Sequence, residues 1–163
     1  MIEFDMPGTI HASSTFNPAH HVTASHYIAR HHSAGVEILG SRVFQDFPNL
    51  KIIIPHGGGA IPYQWSWHGG SHVILGLEPF EDAARRVYWD MAIYDQESME
   101  LLIKRVGVDN VLFATEMFGA VNSIDPQTGR SFEDVRSLFD AIDWLSDEGN
   151  ARKVYGGRLP SAS

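Results

Sequence analysis

The chain contains no cysteine, which excludes disulfides and thiolate metal ligands and leaves His, Asp and Glu to hold any metal. No apolar run approaches the roughly 18 residues of a membrane helix, so no membrane partner is expected. The opening Met1-Ile2-Glu3-Phe4-Asp5 lacks the basic and apolar regions of a secretion signal, and a cytoplasmic protein is the expectation. Cations are few. Twelve Lys and Arg stand against 20 Asp and Glu, for a formal net charge of −8, and no basic stripe offers itself to nucleic acid. The rest is ordinary globular composition: 163 residues, 44% hydrophobic and 20% charged, enough for one domain with a core. Without a linker, a low-complexity segment or a fixed-period repeat, residues 1–163 read as a single unit that handles small molecules.

Four short apolar segments alternate with helical patterns, which predicts βα units and a parallel sheet, an α/β fold. The segments are Thr9-Ile10-His11-Ala12, Lys51-Ile52-Ile53-Ile54-Pro55, Val87-Tyr88-Trp89-Asp90-Met91 and Val111-Leu112-Phe113-Ala114. Runs this apolar suit strands covered on both faces. Met99, Leu102, Ile103 and Val106 fall on one helical face, with Asp95 placed as the cap. A second stripe, Phe132, Val135, Leu138, Phe139 and Ile142, opens with Ser131 and Asp134 in a near capping box. Asp125-Pro126-Gln127-Thr128-Gly129 reads as a turn before it.

Three of the four strands end in a group able to bind metal or move a proton: His11, His56 and Glu116. Active sites of parallel α/β sheets lie at the C-terminal ends of the strands. A lone strand-end histidine is commonly a hydrogen-bonded core residue, but the glycines after His56 imply close backbone approach, and a carboxylate at the rim of a buried sheet needs a partner. The three together point to a site more strongly than any one of them. His20, His21, His26, His31 and His32 read as a solvated or subunit-contacting face. Tyr63, Trp65, Trp67 and Phe80 read as core or interface, since no basic groove accompanies them for stacking bases. His56-Gly57-Gly58-Gly59 also resembles a lipase-type oxyanion loop, but no G-x-S-x-G elbow accompanies it, and no phosphate-binding G-x-x-x-x-G-K-[ST] occurs.

The run Ile53-Ile54-Pro55-His56-Gly57-Gly58-Gly59-Ala60-Ile61-Pro62-Tyr63-Gln64-Trp65 resembles the signature of the 4-oxalomesaconate hydratases. These are metal-dependent barrel enzymes of aromatic-compound breakdown in the amidohydrolase superfamily. Their branch also contains 2-amino-3-carboxymuconate-6-semialdehyde decarboxylase. The likeness extends to Ile10-His11-Ala12-Ser13 with Asn17-Pro18, to Phe113-Ala114-Thr115-Glu116-Met117, and to Gly149-Asn150-Ala151-Arg152-Lys153-Val154-Tyr155. It implies a partial TIM barrel, about strands five to eight of a (β/α)8 fold. It further implies a divalent metal, zinc by expectation, and a small carboxylated keto acid as substrate. His11 and Glu116 would be metal ligands, and His56 and Glu116 would move protons as water adds across an enol or alkene. Asn17, Asn122 and Trp67 would fall in the substrate-binding positions.

The pattern departs from the family in three places. The N-terminal half, with the His-x-His pair of the first strand, is absent from these residues. Ser66-Trp67 stands where relatives often have Gly-Arg, and Asn122 where the hydratases tend to have Arg. Two expectations follow. One is part of a hydratase-like lyase, or of a decarboxylase or hydrolase of the same branch. The other is a non-catalytic half-barrel, and a homo-oligomer or pairing with a separate N-terminal half is the expected assembly.

Overall fold

Each apolar segment supplies one strand of a four-stranded parallel sheet in the computed structural model, which describes residues 1–11, 16–17, 25–116, 123–139 and 149–159. The strands are β1 (Gly8–Thr9), β2 (Ile52–Ile54), β3 (Tyr88–Asp90) and β4 (Val111–Leu112). They are shorter than the apolar runs, and β1 starts one residue earlier than its run, sharing only Thr9 with it. Single bonds carry the ladder on, from Ile10 N–H to the Ile53 carbonyl and from Met91 N–H to that of Leu112.

The spatial order is the chain order, β1-β2-β3-β4, with Thr9 opposite Ile53, Ile54 opposite Trp89 and Asp90 opposite Leu112. A parallel sheet that always steps the same way puts its right-handed crossovers on one face, as a barrel wall does. Those crossovers contain α1 (Ser25–Leu39), α2 (Val43–Asp46), α3 (Trp65–Leu75), α4 (Phe80–Ala84) and α5 (Gln96–Val106). Among the described residues, two short α-helices follow β4: α6 (Arg136–Phe139) and α7 (Gly149–Tyr155). Among the described residues, β1 and β4 are the sheet's two edges.

Strand alternation sorts the side chains. Ile52, Ile54, Val87, Trp89 and Val111 enter the main core with Trp65, Phe80, Met99 and Leu102 from the helices. Ile53 and Leu112 face the other way, where Val154 of α7 packs on them and Tyr88 lies alongside. Asn150 fastens α7 there by donating to the carbonyls of Val108 and Val111, at 2.6 and 2.7 Å.

The stripe Met99, Leu102, Ile103 and Val106 is the buried face of α5, and the Asp95 carboxylate accepts from the amides of Glu97 and Ser98. Each such side chain contributes about 1.5–3 kcal/mol by leaving water. Asp125 closes its turn by accepting from Gln127 N–H and Thr128 Oγ1, and residues on either side form an antiparallel bridge, Ile124 to Ser131. That bridge is why the following helix starts later than the stripe suggests. Ser131 is held in the hairpin, its hydroxyl accepts from Glu133 N–H, and helix begins only at Arg136. Ile142 lies outside the described residues. Trp65 and Phe80 are buried as expected, whereas Tyr63 and Trp67 are exposed. No helix of the described residues is long and apolar enough to cross a membrane.

Two features of the packing are testable. Gly59 has φ 64, and a Cβ there would meet the Ile28 carbonyl oxygen of α1 at 2.3 Å, whereas one on Gly70 in α3 would meet nothing within 4 Å. Gly59→Ala is therefore expected to lower the unfolding free energy by about 2 kcal/mol or more. Gly70→Ala is expected to raise it by about 0.5–1 kcal/mol through helix propensity. Urea titration of both variants measures the difference in sign.

The second feature is His68, a buried imidazole on α3 whose Nε2 has no hydrogen-bond partner. Burial, and then the neighbouring His32 and His72, hold it below the usual histidine range. The unfolded chain therefore binds this proton more readily than the folded one, so its contribution is fully present above the unfolded value and is lost as pH falls. Stability should fall on acidification below about pH 6.5, the ordinary imidazole value. His68→Leu should flatten that slope in melts recorded across the acid range.

Candidate functional site

Pro55 ends β2, and the chain then makes a turn in which His56, Gly57, Gly58 and Gly59 all have positive φ, from 52 to 72. Glycine accepts such a backbone, but histidine does so only when held. His56 is held twice. Its N–H donates to Asp90 Oδ1 at 2.7 Å, and its Nδ1 lies 3.1 Å from the Ala92 carbonyl oxygen. A carbonyl only accepts, so in the neutral ring Nδ1 carries the proton and Nε2 keeps the lone pair. Nε2 lies 3.9 Å from Glu116 Oε2, with the two side chains 10% and 22% exposed.

Asp90, at the end of β3, also accepts from Ala92 N–H at 3.1 Å. Burial pushes its carboxyl up; the Ala92 and His56 amides and the His56 ring pull it down, and Glu116 pushes it up again. All four strands thus deliver a polar group to this rim: His11 just beyond β1, His56 beyond β2, Asp90 at the end of β3, and Glu116 beyond β4.

A further ring comes from α1. The His31 ring centroid is 4.9 Å from those of both His11 and His56, and it stacks on His56 at 16°. One ring nitrogen from each of His11, His31 and His56 lies within 4.8 Å of the others. Tyr27, one turn earlier on the same helix face, is 5.2 Å from the His11 ring. Burial, and then His56, His11 and His26, push His31 down to about 4, so it is neutral at ordinary pH. A metal ion binds the unprotonated imidazole, and three ring nitrogens gathered this closely are donors of the kind a divalent ion takes. The donor set fits a divalent ion.

The sequence reading missed His31 and Asp90. A solvated or subunit-contacting face was expected around His26, His31 and His32, yet His31 is 1% exposed and His26 is 8% exposed. The available signal was the four-residue spacing of Tyr27, His31 and Gly35, where Gly35 lets α1 approach Ile54 and Ile61. For Asp90 it was the acid placed between the buried Trp89 and Met91. His20, His21 and Asn122 lie outside the described residues.

Beside these groups is a cavity of about 400 Å³ lined mainly by apolar side chains, with Tyr27, His56, Tyr63, Tyr94 and Glu116 among its walls. His56 belongs to both the histidine cluster and the cavity, whereas His11 and His31 do not line it. Burial, then Glu116 and Glu133, push the Tyr94 phenol up to about 12, so it remains a hydrogen-bond donor. Asn17 is exposed and Trp67, 74% exposed, lies on the outer side of α3; neither lines the cavity.

The chain is 41% identical over 164 residues to 2-keto-4-carboxy-3-hexenedioate hydratase of Sphingobium sp. (strain NBRC 103272 / SYK-6), which covers 95% of this chain and 48% of that protein. It is 33% identical over 92 residues to 6-methylsalicylic acid decarboxylase of Penicillium expansum, covering 51% and 28%. The crystal structure of 4-oxalomesaconate hydratase from Rhodopseudomonas palustris matches with a TM-score of 0.81 and 37% identity, over 95% of this chain and 47% of that one. A manganese-bound dihydroxybenzoic acid decarboxylase from Polaromonas sp. JS666 matches at TM-score 0.63 and 18% identity, over 94% and 51%, which shows the shared fold. The chain spans about half the length of these hydratases. A family model described as Amidohydrolase matches residues 1–157, nearly the whole chain, and the protein therefore belongs to the amidohydrolase family.

Proposed function

We propose that residues 1–163 carry proton-transfer and metal-binding groups of a hydratase that adds water to an unsaturated, carboxylated keto acid. The observation that carries this reading is the 3.9 Å approach of Glu116 to His56 Nε2 on a cavity wall, with two further imidazoles behind it. The sheet's sequential order, its two open edges and the half-length match support reading β1–β4 as strands five to eight of an eight-stranded barrel. The edges would take their remaining neighbours from polypeptide outside these residues or from a second copy.

The roles follow from which groups face the cavity. His11 and His31 would hold a divalent ion, zinc by donor type, with Glu116 beside it. When bound, such an ion polarises a substrate oxygen and makes water more acidic. Hydration of an alkene conjugated to a ketone requires a proton removed from water and a proton returned to the carbon next to the carbonyl. His56 Nε2 and Glu116 are the facing pair available for those two transfers. The Tyr94 hydroxyl offers a neutral donor to a substrate oxygen. The 33% identity to a decarboxylase favours loss of CO₂ at the same site as the second reading.

In an eight-stranded barrel that contains these residues, Glu116→Gln and His56→Gln are each expected to slow hydration by about 10²–10⁴-fold. The loss of alkene absorbance follows the reaction. Variants that keep full turnover would overturn the assignment, and CO₂ release without hydration would establish the second reading. For the metal, His31→Ala should weaken zinc binding about tenfold or more in calorimetry, while His32→Ala, one residue along α1, should leave it unchanged.

A further inference from the structure

One carboxylate oxygen controls both restraints on His56. Asp90 Oδ1 accepts from the His56 amide at 2.7 Å and from the Ala92 amide at 3.1 Å. The first bond holds a histidine backbone at φ 52, a conformation that non-glycine residues avoid. The second fixes the residue whose carbonyl oxygen lies 3.1 Å from His56 Nδ1. Strand geometry puts the carboxylate there. Val87, Trp89 and Met91 are fully buried on the helix side, so Asp90 between the last two faces the opposite side. Because Trp89 pairs with Ile54, Asp90 comes alongside β2 where the chain leaves the sheet for His56.

We propose that Asp90 is a positioning residue that locks His56 in its Nδ1–H tautomer, with Nε2 left as the lone-pair nitrogen facing Glu116. The role rests on the reading of His56 as the proton carrier, and it needs an acceptor oxygen rather than a charge. Asp90→Asn keeps an oxygen able to accept both amides and removes the charge; Asp90→Ala removes both. A residue that merely filled space at the end of β3 would not govern which nitrogen of a separate ring bears the proton.

The test is ¹⁵N NMR of the histidine rings in the full 163-residue chain, at a pH where imidazoles are neutral, with circular dichroism to confirm folding. The wild-type chain should show His56 protonated on Nδ1, and Asp90→Asn should retain that state. Asp90→Ala should shift a large share of His56 to the Nε2–H form. In the eight-stranded barrel, the same change should lower kcat by roughly 10–100-fold with Asp90→Asn near wild type. Wild-type His56 protonated on Nε2 overturns the proposal without any variant. So does a folded Asp90→Ala chain with an unchanged tautomer, or Asp90→Asn behaving like Asp90→Ala. Should Asp90→Ala not fold, the wild-type and Asp90→Asn spectra decide. Absence of hydration with the expected tautomers would count against the hydratase reading while leaving the role of Asp90 standing.

Discussion

The two hydrogen bonds that Asp90 accepts from the His56 and Ala92 amides tie the exit of β2 to the exit of β3, and the geometry of the site depends on that tie. It lets the chain leave the sheet through four residues of positive φ without drifting outward. The turn is then wedged from two sides. A Cβ on Gly58 would strike the Trp89 ring at 2.4 Å, and one on Gly59 would strike the backbone of α1. With no side chains in the way, α1 lies directly on the turn, and His31 reaches His56. Core packing, backbone conformation and site assembly are here one constraint.

The electrostatics follow from crowding ionisable groups at a half-buried rim. Imidazoles this close disfavour one another's charged forms, and burial adds to the effect, so His31 is held neutral. The same pressure toward the neutral form raises the Asp90 carboxyl: burial, with Glu116 adding to it, outweighs the downward pull of its two amide donors and of His56. Nitrogen donors gathered beside carboxylates make a setting that favours a divalent cation. Such a cluster is costly for the fold, and violations of local folding rules of this kind concentrate at functional sites.

The outer surface shows a different balance. Tyr63, Trp67, Val73, Ile74 and Leu75 stay largely exposed on and just before α3, a segment without a charged residue in an otherwise acidic chain. The helix is nonetheless anchored on its inner side. Trp65 donates to Glu81 at 3.0 Å and lies under the Arg105 guanidinium, and His72 Nδ1 meets the Glu78 carbonyl oxygen at 2.8 Å.

Elements whose causes are local can be read directly from the order of residues. The α5 stripe and its Asp95 cap, the Asp125 turn and the four apolar strands were all legible, because period, capping chemistry and turn residues act within a few positions. The sequence also placed His11, His56 and Glu116 at strand ends, where a parallel sheet gathers its polar groups. It did not reveal His31, since burial of one helix face depends on what packs there, and a polar residue at helical spacing carries no mark of that. It did not reveal Asp90 either, because a carboxylate among apolar strand residues gains its role only from register against β2. Helix at 131–135 was read from a stripe, but pairing of Ser131 with Ile124 took those residues first. Local order was thus set by the sequence, while the membership of the site was decided by register and helix approach, which exist only once distant segments have packed.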